Sequence, residues 1–253
     1  MPEAFAFPSG TPVWWEAVSD DPPATAAFYQ RLFAWQVRAS VPGYRFCLRG
    51  ERAVAAVVDG ARHRGVADPG WLPSLFAPAL DETCERVERH GGAVLAPPAA
   101  VDGEGRRALV RDPGGAVCAL WAASHLPDPA PVRAPGHLGR VGLLAGDPRR
   151  STEFYASVFG GGHGDVQRGG VQPGLPGVPA FLGVRRPRPA HLGGDRWLPD
   201  FLVEDLTRAV RAVRDGGGRD AGADTAGSGA TIMTDPAGVP FGLTALDSLP
   251  APE

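Results

Sequence analysis

The chain has 253 residues, 43% of them hydrophobic and 21% charged, with a net charge of −3 at pH 7. That is the composition of an ordinary globular protein, long enough for two domains of roughly 120 residues each. The acidic balance argues against a general nucleic-acid binder, which needs a basic face, and no apolar run approaches the ~20 residues of a membrane-spanning helix.

In chain order, Thr11 to Ser19 reads as a strand with a polar end. Asp21-Pro22-Pro23 then starts a helix, with Asp as cap and Pro in the first turn. The helix runs to about Ala34 and buries Phe28, Leu32 and Phe33 at helical spacing. Short strands are expected near Tyr44–Leu48 and Ala53–Val58, followed by a polar loop over 59–70. Leu72–Ala77 is a strand and Asp81–His90 a helix, ended by Gly91-Gly92. Strands near Ala93–Leu95, Arg107–Arg111 and Ala116–Trp121 complete the first half. Asp112-Pro113-Gly114-Gly115 makes a tight reversal between the last two.

The second half repeats the first. Phe28-Tyr29 and Phe33 return as Phe154-Tyr155 and Phe159, and Trp71-Leu72-Pro73 as Trp197-Leu198-Pro199, both at an offset of 126 residues. Asp112-Pro113 and Gly115 return as Asp235-Pro236 and Gly238, now 123 apart. A period this long marks a duplicated domain. The expected boundaries are 8–123 for the first domain, 124–135 for a Pro-rich, fairly stiff linker, and 136–247 for a shortened second domain. Asp147-Pro148 starts a helix, and Asp205–Asp215 forms another. The stretch 160–177 is rich in Gly and Pro, and its strands cannot be placed. Gly160-Gly161-Gly162-His163-Gly164 precedes no clear helix, so it is not read as a phosphate cradle. The basic run Arg185-Arg186-Pro187-Arg188 reads as a solvated loop. The N-terminus has neither the basic nor the long apolar region of a secretory signal. Cys47, Cys84 and Cys118 form no zinc or redox pattern, and a cytoplasmic location is expected.

The Phe-Tyr helix after a polar strand end, the closing Asp-Pro-x-Gly hairpin and the opening Gly10-Thr11-Pro12-Val13-Trp14 together resemble the vicinal oxygen chelate superfamily. That group includes glyoxalase, bleomycin-resistance proteins, extradiol dioxygenases and fosfomycin-resistance enzymes. The closest likeness is to tandem-domain actinobacterial members labelled glyoxalase-like or "hydroxylase". The resemblance spans about Gly10 to Leu246. It implies an α+β fold of two tandem domains, each made of two βαβββ modules that curl a mixed sheet into a cup. Metal-dependent members hold a divalent ion there on His, Gln or Glu from the first, fourth, fifth and eighth strands.

Carried onto this chain, those positions fall on Trp14, Leu72 and Ala119 in the first half, with the fourth near Ala55 or Ala56. In the second half they fall on Arg140, Leu198 and Gly242. None of these side chains can ligate a metal ion. No cofactor is therefore expected, one divalent ion being the alternative. His63, His125, His163 and His191 are assigned to loops, and His90 to the last turn of a helix. His137, just before Arg140, is read as structural or solvent-facing.

Strand alternation puts Glu16 beside Trp14 on the first cup's inner face, with Ser74 and Phe76 beside Leu72, and Val117 and Trp121 beside Ala119. Aromatic walls with few polar groups suit a planar organic ligand. Glu16, in a mostly apolar cup, is expected to have a raised pKa and to act as general acid or base. In the second cup Arg140 and Asp200 are expected to face each other near Thr244, as a structural bridge or as a proton-transfer pair.

The expected function is binding of a small aromatic or polycyclic metabolite in a metal-free cup, for antibiotic sequestration or secondary-metabolite tailoring. The alternatives are a metal-dependent lyase or dioxygenase, and a metal-free isomerase, lyase or hydroxylase using Glu16 or Arg140 and Asp200. The expected partner is a small aromatic molecule, with no nucleic acid and no membrane. Both a monomer and a homodimer are compatible with the sequence.

Overall fold

A computed structural model of the chain describes residues 8–63, 69–101, 103–124, 133–159, 183–187, 194–223 and 230–248. The first domain opens with β1 (Pro12–Ser19) and α1 (Pro22–Phe33), then β2 (Gln36–Ala39), β3 (Tyr44–Arg49) and β4 (Arg52–Asp59). Its second module is β5 (Gly70–Phe76), α2 (Leu80–Arg89), β6 (Ala93–Val101), β7 (Gly105–Arg111) and β8 (Val117–Ala123). The strands form one eight-stranded sheet in the order β2-β3-β4-β1-β5-β8-β7-β6. Each module contributes four adjacent strands, and the two meet where β1 and β5 pair antiparallel.

The second domain has β9 (Leu138–Ala145), α3 (Pro148–Phe159) and β10 (Gly183–Pro187), then β11 (Arg196–Val203), α4 (Leu206–Asp215), β12 (Arg219–Ala223), β13 (Thr231–Thr234) and β14 (Pro240–Ala245). These build a six-stranded sheet, β10-β9-β11-β14-β13-β12. Among the described residues, the third module has a single strand after its helix. The α+β, two-domain expectation is met. Three local readings change. Gln36–Ala39 is a strand the sequence reading missed. The strand expected over Ala93–Leu95 extends to Val101. Arg185 to Pro187, read as loop, lies in β10, which pairs parallel with β9.

The helices start where the sequence chemistry asks. The Asp21 carboxylate accepts from Ala24 N at 3.0 Å, and Asp205 does the same for Arg208 N at 2.9 Å, satisfying amides that the first helical turn leaves open. Helix α2 differs. It begins at Leu80 after Ala79, with no side-chain cap, and carries Asp81 and Glu82 in its first turn, where they suit the dipole.

The two domains share one core. On β1, Trp15 and Ala17 point into a cluster with Phe28, Tyr29, Trp35 and Trp71, and the same cluster takes in Phe154, Trp197, Phe201 and Phe241 of the second domain. Ring centroids of Phe33 and Phe201 lie 4.8 Å apart, and those of Tyr29 and Phe241 5.5 Å, within the range of favourable aromatic packing. The helix-bearing face of each sheet is turned toward the other domain, which leaves the opposite faces as the cups.

The repeated landmarks explain themselves at this interface. Tyr29 of α1 donates to Asp235 Oδ2 at 3.1 Å, and Tyr155 of α3 donates to Asp112 Oδ2 at 3.1 Å. Each Asp also folds its own hairpin. Asp112 Oδ1 accepts from Gly114 N and Ala116 N, and Asp235 Oδ1 from Ala237 N and Val239 N. Gly115 and Gly238 complete these turns at φ 104° and 86°, where a side chain would be strained. The Phe-Tyr helix of each half thus clasps the Asp-Pro-x-Gly hairpin of the other. Burial pushes both carboxyl pKa values up, against the pull of their amide donors. No helix among the described residues is long and apolar enough to cross a membrane.

Candidate functional site

The first cup is built on strand alternation. Since Trp15 and Ala17 of β1 enter the shared core, Trp14, Glu16 and Val18 take the other face. Register extends that face across the sheet. Trp14 lies opposite Ser74 and Glu16 opposite Leu72 on β5, and Ser74 and Phe76 lie beside Ala119 and Trp121 on β8. Val18, Leu72, Leu109 and Ala119 form a small buried cluster against Leu95, Ala96 and Val117. That cluster is the floor of the cup, filled by its own side chains. The residues placed on this face by sequence alone share it, and three of them, Trp14, Val117 and Trp121, are only partly buried.

Beside the floor lies a polar cluster. The Glu16 carboxylate, with 5% of its side chain exposed, sits 2.7 Å from Arg107 Nη2 and 2.8 Å from His63 Nε2. The His63 ring N–H is not aligned on that oxygen as a regular hydrogen bond. Tyr44 Oη donates to Glu16 Oε1 at 3.2 Å and accepts from Trp14 Nε1 at 2.8 Å. Phe46 packs edge-on against both Trp14 and Tyr44, at 5.9 and 5.1 Å. Trp14, Tyr44, Phe46, Arg107 and Trp121 are all partly exposed, so the accessible wall is four aromatic rings and one guanidinium.

This geometry corrects the expectation for Glu16. Burial alone would raise its pKa, but Arg107 and His63 outweigh it and hold the carboxyl at about 2. Glu16 is therefore an ionised, ion-paired group at neutral pH, poorly suited to giving or taking a proton. Burial, followed by the Glu16 charge, pushes the Tyr44 phenol far above its ordinary value, so it stays a hydrogen-bond donor.

His63 is also corrected. Assigned to a polar loop and given no part in the site, it is buried in the cup, on the residue that ends the short 3₁₀ turn Gly60–Arg62 after β4. Tyr44, Phe46 and Arg107 were missed as site residues. Their inward parity is readable once β3 is aligned with β4, where Phe46 lies opposite Ala56, and β7 with β8, where Arg107 lies opposite Trp121. Nothing in the local sequence marks His63.

The second cup is closed by its own residues. Arg140 Nε lies 3.8 Å from Asp200 Oδ2, and Arg140 Nη2 donates to Thr244 Oγ1 at 3.2 Å. All three are buried. Leu144 and Leu198 pack with Ala221 and Ile232 as its floor. Gly242, beside Asp200 on β14, has a structural reason to be glycine. A Cβ there would fall 1.8 Å from Asp200 Oδ1. The trio is brought together as expected, and at 3.8 Å the Arg140–Asp200 contact is a loose ion pair.

Among the described residues, the donors of neither cup fit a divalent ion. Trp14, Leu72 and Ala119 offer none, nor do Arg140, Leu198 and Gly242. Ala55 belongs to the shared core, so Ala56, opposite Glu16, is the fourth-strand residue on the cup face. Glu16 and His63 are two donors where a structural or catalytic site needs at least three, and Arg107 puts a fixed positive charge on the same carboxylate. Among the described residues no three of His, Cys, Asp and Glu converge. His137 lies near Arg49 and Arg52, and burial foremost lowers its pKa. His90 ends α2. His125, His163, His191, Arg188, the glycine run at 160–164 and linker residues 125–132 lie outside the described residues.

Comparison with known proteins agrees with this fold. Residues 13–120 match the Glyoxalase/Bleomycin resistance protein/Dioxygenase superfamily, and residues 140–244 match the glyoxalase-like domain. The chain is 28% identical over 260 residues to the anthracycline biosynthesis protein DauV of Streptomyces sp. strain C5, covering 95% of this chain and 94% of that one. It is 27% identical over 264 residues to CFP32 of Mycobacterium tuberculosis, covering 95% and 90%. Among solved structures, the 2,3-dioxygenase LapB of Pseudomonas sp. KL28 superposes with a TM-score of 0.59 at 14% identity, covering 95% and 93%. The Mn(II)-bound glyoxalase of Novosphingobium aromaticivorans superposes at 0.55 and 12%, covering 95% and 83%. At such identities the structural likeness speaks for the fold alone. The duplicated sheets, the interlocked Phe-Tyr and Asp-Pro-x-Gly motifs and these matches make the chain a tandem two-domain member of the vicinal oxygen chelate superfamily, related to anthracycline biosynthesis proteins.

Proposed function

We propose that the chain binds a small aromatic or polycyclic metabolite in its first cup without a metal ion, in antibiotic sequestration or secondary-metabolite tailoring. The observation that carries this reading is the accessible wall of Trp14, Tyr44, Phe46 and Trp121 around the buried Glu16–Arg107 pair. Flat rings contribute large apolar contact at low entropic cost, and a few fixed polar groups orient the ligand. Similarity along 95% of the chain to DauV, named for anthracycline biosynthesis, supports a ligand from secondary metabolism. The second cup, with Arg140, Asp200 and Thr244 buried, serves as a scaffold in this reading. A reducing cytoplasm suits the three buried free cysteines, and the molecule acts as a monomer or homodimer.

Binding is favoured over proton transfer by Glu16, because a carboxyl held at about 2 is a weak base at neutral pH. The second reading is a metal-independent tailoring enzyme, a lyase, isomerase or hydroxylase, favoured by the similarity to biosynthesis proteins. One experiment separates the two. The protein is incubated with a panel of aromatic natural products, and the bound and free fractions are analysed by mass spectrometry. Retention of an unaltered compound supports binding. Catalytic conversion, lost in Glu16→Gln or Asp200→Asn, supports the enzyme. No retention and no conversion across the panel would refute both.

A further inference from the structure

We infer that the first cup selects planar aromatic ligands bearing an acceptor oxygen, a carboxylate or phenolate above all, and that Arg107 is the group that reads it. The inference rests on the proposed aromatic reading and adds the ligand's polar chemistry. It follows from an inventory of the hydrogen-bonding capacity left in the cup.

Glu16 is spent. Its Oε1 takes Tyr44, and its Oε2 takes Arg107 with His63 beside it. Tyr44 has given its one proton to Glu16 and accepts from Trp14. The Trp14 indole N–H is used by that same contact. Ser74 is buried on the cup face. Arg107 differs. Its guanidinium has five N–H groups and one hydrogen bond, to Glu16; its Nε is buried without a partner among the described residues, so the open donors are at the outer, partly exposed end of the guanidinium.

Exposure within the pair is lopsided. The Glu16 side chain is 5% exposed and that of Arg107 19%. The acid therefore lies behind and the guanidinium in front, so an arriving molecule meets donors and positive charge. Trp121 stands directly across β7 and β8 from Arg107. A ring lying along Trp121 can turn an oxygen toward the guanidinium edge, where a charge-assisted bond is stronger than a neutral one. A cationic ring meets no open acceptor there, since the Glu16 oxygens are covered.

The test compares three probes of one shape, 2-naphthoate, 2-naphthalenemethanol and 2-naphthylmethylammonium, titrated at pH 7 by calorimetry against the full chain. Naphthoate is expected to bind about tenfold tighter than the alcohol or better, with the ammonium weakest. In the Arg107→Met, Glu16→Gln double variant, which removes both charges together, the naphthoate-to-alcohol ratio is expected to fall to within about twofold of one. Arg107→Lys, which keeps the charge but loses the planar fork, is expected to lose most of the preference and serves if the double variant does not fold. Equal affinity for naphthoate and alcohol in the native chain would overturn the role of Arg107 while leaving the aromatic reading in place. So would a preference that survives in either variant. Failure of all three probes to bind would overturn both.

Discussion

Tyr29→Phe tests the reciprocal clasp. Tyr29 is fully buried, and its ring packs against Phe33, Trp35, Trp71 and Phe241. Removing the hydroxyl keeps those contacts and takes one donor from Asp235 Oδ2, which accepts it at 3.1 Å. A hydrogen bond to a charged acceptor is worth about 1.5–3 kcal/mol, and a neutral one about 1 kcal/mol. The hydroxyl is one donor among three to that carboxyl, since two backbone amides still serve Oδ1. A loss of about 1–2 kcal/mol is therefore expected. In a chain of this size that lowers the melting temperature by about 2–8 °C. Tyr155→Phe should cost a similar amount through Asp112, and the double variant roughly the sum, because the two clasps share no partner. The assay is urea denaturation followed by tryptophan fluorescence and far-ultraviolet circular dichroism. The shared core predicts a single transition with both probes in the native chain. Losses below about 0.5 kcal/mol in both variants, or separate melting of the two halves, would refute the clasp.

Acid should act on the two kinds of buried carboxyl with opposite sign. Glu16 has its pKa depressed from 4.5 to about 2, so its contribution is complete above pH 4.5 and is lost as pH falls toward 2. Asp112 and Asp235 have raised pKa values, so their contribution runs the other way and fades as pH rises through those values. Glu16→Gln should flatten the loss of unfolding free energy between pH 4.5 and 2, and an unchanged slope would speak against the ion pair. Gly242→Ala should destabilise by about 2 kcal/mol or more through its clash with Asp200. Relief by Asp200→Ala in the double variant, read by denaturation, would confirm the cause. Trp14→Ala should weaken binding of aromatic probes about tenfold or more, as loss of a large aromatic contact does, and a calorimetric titration with unchanged affinity would remove Trp14 from the wall.

The fold was legible in the sequence because its landmarks do double duty. Phe28-Tyr29 and Asp235-Pro236 recur in each half because each pair holds the other half's partner, so the repeat records an interface as well as a duplication. The cup face was legible from period-two alternation on β1, β5 and β8, where Trp14, Leu72, Ser74, Ala119 and Trp121 fell on one side. What escaped was pairing across strands far apart in sequence. Arg107 is 91 residues from Glu16, and only the register of β7 against β8 turns it inward. His63 follows the end of a strand, where no periodicity applies. The sign of the Glu16 pKa shift went wrong for the same reason. Desolvation is visible in an apolar sequence pattern, but the compensating guanidinium is not.

The most direct measurement is of metal content and ligand affinity on one sample. Protein purified gently is assayed by mass spectrometry for divalent metals, then titrated with an aromatic ligand before and after exhaustive treatment with chelator. The account predicts far less than one ion per chain and the same affinity in both titrations. One firmly held ion per chain, together with loss of binding on chelation, would contradict it.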